Sequence, residues 1–313
     1  MRAQQKDIAF MIINTLGKIT DNLYMVGHPA VPVYLFDGPE PVLFDAGYSC
    51  LGQTYVRQIK KILGHRLPAY CFLSHSHFDH CGSVAIFKAA FPSIKIVSSA
   101  KAKAIFKRPN AVALMKKLSI SAEHLARDCG ITGIMPDGFN SFDVDITVKN
   151  NEIIALSNHV TVRIIETPGH TNDCISFYVP EKKILICSEA FGIQDKTGYI
   201  FSDFLIDYDL YLDSMERMRG LETDVIGIGH NYAYTGKDAE TFKKTAILSC
   251  KAFLKMAEAF LVEEKGLIDT VVNRIKKVEY DRQTGFVQPE PAYLLNLEAR
   301  ITVVKKRMEK HWQ

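Results

Sequence analysis

The sequence predicts an α/β protein built in layers, followed by a wholly helical C-terminal extension, and three observations lead to it. Up to about residue 230, short apolar runs rich in β-branched and aromatic residues alternate with segments of helical spacing. Four of the apolar runs end in side chains that bind metals well, which gathers chemistry on one edge of the layers. After about Asp238 only helix periodicity remains. The expected division is residues 1–237, with a helical insertion at about 100–130, and a helical extension over 238–313.

Taken in order, Asn22 to Val26, Val31 to Phe36 and Pro41 to Phe44 have the length and content of strands, and the last leads into Asp45-Ala46-Gly47. Thr54 to Leu63 places Tyr55, Ile59, Ile62 and Leu63 on one side of a helix. Tyr70 to Leu73 is a strand that delivers the chain to Ser74-His75-Ser76-His77-Phe78-Asp79-His80. Ser83 to Phe91 reads as helix, Ile94 to Val97 as strand, and Ala100 to Cys129 as helical, with Phe106, Val112, Met115 and Leu118 as apolar members. Strands return at Ile153 to Leu156, Thr161 to Glu166, Cys174 to Val179 and Lys183 to Cys187. Leu210 to Leu221 is a helix, and Val225 to Gly229 is expected to be the final strand. Glu240 to Val262, Ile268 to Val278 and Ala292 to Met308 then carry apolar stripes that are first of all packing faces, and they are expected to fold over the site edge or to make a homodimer contact.

The 313 residues are 47% hydrophobic and 23% charged, an ordinary globular composition with enough apolar mass for a normal core. A net charge of +3 neither requires nor excludes an anionic substrate and is too weak to argue for nucleic acid. The seven cysteines are scattered, odd in number and lack a Cys-x-x-Cys pair, which favours a reducing compartment. The apolar run Ile8 to Ile13 is too short for an export signal or a membrane span, so the expectation is a cytoplasmic protein with no membrane association.

His75 and His77 lie two apart, so in an extended segment both point to the same side; Asp79 keeps that phase and His80 follows at the start of a helix. His170 projects from the turn that ends the Thr161 to Glu166 strand, Glu189 follows the Lys183 to Cys187 strand, and His230 follows Val225 to Gly229. Imidazole nitrogens and carboxylate oxygens converging on one point are what zinc, iron or manganese sites of hydrolases need. Cys187 could share the face of Glu189 as a thiolate; a small buried hydrophobe is the expected reading.

The segment His75-Ser76-His77-Phe78-Asp79-His80, with Thr167-Pro168-Gly169-His170-Thr171 and Gly229-His230, resembles the metallo-β-lactamase-fold hydrolases, including their glyoxalase II-like branch, over about residues 20 to 235. The resemblance implies an αββα sandwich with the site at one edge of two sheets. It implies one ion on His75, His77 and His170, a second on Asp79, His80 and His230, and an orienting role for Asp45 behind the ligands. Where that family places a bridging aspartate this chain has Glu189, whose carboxylate sits about one carbon–carbon bond further out and can still bridge.

Two divalent ions, zinc first and iron or manganese as alternatives, would bring the pKa of bound water towards ~7, with Asp79 as the acid/base group. The expected function is hydrolysis of a small ester, thioester or lactone by metal-bound hydroxide. The alternatives are a phosphodiesterase or nuclease on the same site, and a ligand-sensing protein with little turnover. No Gly-x-Ser-x-Gly elbow and no Gly-rich phosphate loop occurs in the sequence. Phe191, Tyr199, Phe201, Tyr232 and Tyr234 flank ligand positions, either as pocket lining or as ordinary packing. Lys101, Lys103, Lys107, Arg108, Lys116 and Lys117 read as a solvated helix face rather than a rim that steers anions.

Overall fold

The computed structural model describes residues 12–128, 138–281 and 290–311. Residues 8–11 of the N-terminal apolar run and Cys129 lie outside the described residues. The first half of the chain runs β1 (Ile12–Ile13), β2 (Gly17–Lys18), β3 (Leu23–His28), β4 (Val31–Phe36), β5 (Val42–Phe44), α1 (Gly52–Leu63), β6 (Tyr70–Phe72), α2 (Phe78–Cys81), α3 (Val84–Ala90), β7 (Lys95–Ser99), α4 (Ala100–Phe106), α5 (Pro109–Asp128) and β8 (Ile146–Val148). The second half continues through β9 (Ile153–Ala155), β10 (Thr161–Glu166), β11 (Ile175–Val179), β12 (Ile184–Ser188), β13 (Ile193–Gln194), β14 (Ile200–Phe201), α6 (Tyr208–Arg219), β15 (Val225–Ile228), β16 (Ala233–Thr235), α7 (Lys237–Glu263), α8 (Ile268–Glu279) and α9 (Glu290–His311).

Two sheets of seven strands result, one in the order β2-β3-β4-β5-β6-β7-β8 and the other in the order β1-β16-β15-β12-β11-β10-β9. Alternation of side chains divides the central strands between two cores. In β4, Tyr34 and Phe36 point between the sheets, where they meet Phe44, Phe72, Ile164, Phe177 and Ile186. Val33 and Leu35 point the other way, onto Tyr55 and Ile59 of α1 and Phe87 of α3. In β12, Ile184 and Ile186 join the inter-sheet core, while Leu185 and Cys187 face the layer formed by α6, α7, α8 and α9. The architecture is therefore helix, sheet, sheet, helix, with the C-terminal helices sharing one apolar cluster with the second sheet. Each fully buried Val, Leu, Ile or Phe in these clusters contributes about 1.5–3 kcal/mol of transfer free energy.

Parallel pairing sets up the site. In the first sheet β5 runs parallel to β6, and in the second β12 runs parallel to β15. The carboxyl ends of these pairs bring Asp45 beside Ser74 and Glu189 beside His230. One expectation is corrected here. β15 is not the last strand: Asn231 turns the chain with φ 67°, and β16 returns antiparallel to β15.

Candidate metal centre

His75 and His77 extend beyond the end of β6 as expected, but Asp79 does not keep their extended phase. The short helix α2 begins at Phe78, so Asp79 and His80 both lie in its first turn. The helix rotates Asp79 towards His230, with Oδ2 3.6 Å from Nε2 of both His80 and His230. His170 reaches in from the loop after β10, where Gly169 at φ 134° leaves no room for a side chain: a Cβ there would stand 2.4 Å from the Tyr211 Cα. Nε2 of His170 lies 3.1 Å from Nδ1 of His77.

Glu189 follows β12 through a strained turn, Ser188 holding φ 47°. Its Oε1 is 2.9 Å from Nε2 of His80 and 2.9 Å from Nε2 of His230, while Oε2 is 3.6 Å from Nε2 of His75. Gly229 is what lets the carboxylate in, because a Cβ at that position would lie 2.1 Å from Oε1. Three groups of candidate ligand atoms result, each with all atoms within 4.8 Å of one another: His75, His77 and His170; His75, His80 and Glu189; and Asp79, His80 and His230. The middle group shares a member with each of the others, which puts Glu189 between them.

The far sides of the rings are anchored, and the partners assign the tautomers. His170 donates from Nδ1 to the Asp203 carbonyl at 2.7 Å, and His230 from Nδ1 to the Ala30 carbonyl at 2.6 Å. His80 donates from Nδ1 to Asp45 Oδ2 at 2.8 Å. Ser74 donates its hydroxyl to Asp45 Oδ2 and lies 2.9 Å from His75 Nδ1, so its oxygen can accept from that ring. In each of these four rings Nε2 is left facing inward, with a lone pair to offer a metal whenever the ring is neutral. Asp45 itself adopts φ 62°, unusual for a residue other than glycine, and also accepts from the Ser74 backbone at 2.7 Å.

The electrostatics match this geometry. Burial pushes His75 well below the usual imidazole range, and the neighbouring His80 and His77 add to the effect. His77 is lowered by burial and by His170. Burial also opposes charge on His80, yet the carboxylates of Glu189, Asp79 and Asp45 outweigh it and hold the ring well above the ordinary value. His230 is likewise raised against its burial, mainly by Glu189. Burial alone would raise Glu189, but His80 and His230 hold it well below the usual carboxylate range.

A metal fits what is there. Nε2 of His75, Nε2 of His80 and Oε1 of Glu189 are buried without a hydrogen-bond partner despite their close approach. Such atoms each cost about 1–3 kcal/mol when left unmet, and cations held by the overlapping groups would meet all of them. Imidazole and carboxylate are the donors expected for zinc, iron or manganese. Among the candidates, His77, Asp79 and His230 are the partly exposed members, and they mark the open side.

Other expectations resolve as packing. Phe191, Tyr232 and Tyr234 are buried in the helix-side core rather than lining the site. Cys187 is buried, donates to the Gly227 carbonyl, and is raised in pKa chiefly by burial, so it behaves as a small hydrophobe. Lys101, Lys107, Arg108, Lys116 and Lys117 are exposed on α4, α5 and the turn between them. Ser74, Ser188, Asp203 and Tyr211 were not foreseen. Ser188 donates to Glu189 Oε2 at 2.7 Å, and Tyr211 donates to the Glu189 carbonyl at 2.7 Å.

Comparison with known proteins bears on the fold. The pattern of the Metallo-beta-lactamase superfamily matches residues 27–230. A metallo-beta-lactamase fold-containing protein of Sulfurisphaera tokodaii is 27% identical over 177 residues, which is 56% of this chain and 65% of that protein, a little under two thirds of its length. Among solved structures, a metallo-beta-lactamase family protein of Thermus thermophilus superposes with a TM-score of 0.65 at 17% identity, covering 94% of this chain and 95% of its own. The solved structure of the same S. tokodaii relative, an archaeal metallo-beta-lactamase superfamily protein, gives 0.56 at 18% identity, over 93% of this chain and 99% of its own. Among the described residues, no helix is long and apolar enough to cross a membrane.

Proposed function

The chain belongs to the metallo-beta-lactamase superfamily, and on that footing we propose that it is a hydrolase using two divalent ions on a small ester, thioester or lactone. The observation that carries this reading is the convergence of seven imidazole and carboxylate side chains in three overlapping groups, with Glu189 between the outer two. His75, His77 and His170 would hold one ion and Asp79, His80 and His230 the other, with Glu189 placed between the two groups. Zinc suits the donor set first, with iron and manganese next. Ions there would bring the pKa of water towards ~7 and polarise the carbonyl oxygen of a substrate.

The chain's own residues do the rest. Asp79 is partly exposed on the open side, with Oδ2 next to both His80 and His230, so it can take a proton from the attacking water and pass it on. Asp45 and Ser74 keep His75 and His80 aimed. The hairpin of β13 and β14 leaves directly from the Glu189 turn and is tied to Asn231 beside His230 through the Gln194 carbonyl.

Elemental analysis of protein purified without added metal, beside a His75→Ala/His77→Ala variant, tests the reading. The expected result is close to two ions per wild-type chain and a sharp fall in the variant, with aryl esters, thioesters or lactones cleaved faster than a bis-aryl phosphodiester. A wild type that takes up no zinc, iron or manganese would overturn the metal reading, and a phosphodiester cleaved fastest would move the substrate class.

A further inference from the structure

Arg300 is a large, fully buried side chain, set in α9 far along the sequence from every candidate ligand. Its guanidinium meets Glu279 of α8 at 2.9 Å and 3.3 Å and lies 4.5 Å from the Phe253 ring centroid. Glu279 also accepts from the Tyr199 hydroxyl at 2.7 Å and the Tyr293 hydroxyl at 3.0 Å. Nη1 of Arg300 donates in addition to the Ser202 carbonyl at 3.2 Å. The next residue, Asp203, is the anchor of His170, with its carbonyl 2.7 Å and its Oδ2 3.2 Å from the ring Nδ1.

Apart from these polar partners, the neighbouring core positions on the two helices are apolar: Val271 and Ile275 on α8, and Leu297, Ile301 and Val304 on α9. Apolar side chains of the same volume would hold such helices together as well or better, because two charges taken out of water pay a desolvation penalty. What they could not do is offer the Ser202 carbonyl a donor. We propose that Arg300, held in place by Glu279, is a positioning residue for His170, so that the C-terminal helices set the aim of one metal ligand through Ser202 and Asp203. This rests on the reading of the site as a metal centre.

Titration of the metal-free full-length protein with Co2+ alone, followed by absorption, tests it against three variants: Arg300→Lys, the double variant Arg300→Met/Glu279→Met, and Tyr293→Phe as a control that leaves Ser202 untouched. The expected result is that the ion on His75, His77 and His170 binds about tenfold or more weakly in the first two variants, as for loss of a partner behind a metal ligand. The ion on Asp79, His80 and His230, and both ions in Tyr293→Phe, bind as in the wild type. Equal weakening of both ions, or no change, would overturn the inference, and so would loss of the fold in both Arg300 variants, because the pair would then be holding helices and not His170. A wild type that binds no cobalt overturns the metal reading itself, which separates the two failures.

Discussion

Oδ2 of Asp45 lies 2.8 Å from Nδ1 of His80, and the same carboxylate binds both the backbone and the hydroxyl of Ser74. One buried side chain thus fixes a ligand ring and the start of the ligand segment together. Asp45→Asn preserves the shape and tolerates the left-handed backbone but loses the charge. Metal affinity at the His80 side should fall about 10–100-fold, measured by competition with a chromogenic chelator, while far-UV circular dichroism stays that of the wild type.

Gly229→Ala isolates the carboxylate between the ions. The added methyl would stand 2.1 Å from Glu189 Oε1, so the carboxylate must move. The expected outcome is a folded protein that holds fewer ions per chain and hydrolyses test esters more slowly. Unchanged stoichiometry by elemental analysis would show that Glu189 is not needed between the two groups.

The pH dependence of the metal-free protein follows from His80 and His230. Both are raised above the ordinary value of 6.5, so their stabilisation is fully present below that value and is lost as pH rises through the raised values. Melting temperature in chelator should therefore fall as pH climbs from about 6.5, the ordinary imidazole value, into the alkaline range. Zinc affinity should increase over the same range as these rings release protons to bind it. A melting temperature that is flat or rising there would contradict the assigned charges.

Away from the site, Lys243 is wholly buried in α7 and donates to the Arg219 and Leu221 carbonyls at 3.3 Å and 2.9 Å, where α6 ends. Lys243→Met keeps the stem and strands those carbonyls, which should cost about 2–3 kcal/mol. Denaturant unfolding would read the loss, and metal content would be unchanged.

Much of this was legible because long runs declare themselves. Val31 to Phe36 and Thr161 to Glu166 are strands at the residues where their composition placed them, and the ligand residues follow strand ends as expected. β1, β2, β13 and β14 have two residues each, too few to show any period. The helix that lifts Asp79 out of phase is a single turn. The anchors of His170 and His230 are backbone carbonyls of Asp203 and Ala30, and every residue has one, so sequence carries no mark of which is used. Glu189 was visible as a carboxylate after a strand; that Gly229 makes space for its longer arm is a relation between distant loops, visible only in three dimensions.

The donors come from both leaves of the sandwich. His75, His77, Asp79 and His80 follow β6 of one sheet, whereas His170, Glu189 and His230 follow strands of the other. An ion seated among them would therefore be a cross-link between leaves that, among the described residues, the chain joins covalently only where it passes from β1 to β2 and from β8 to β9. Its removal would loosen the seam along that edge, and amide protons beyond β6 and beyond β12 would exchange faster in concert, although they belong to different sheets.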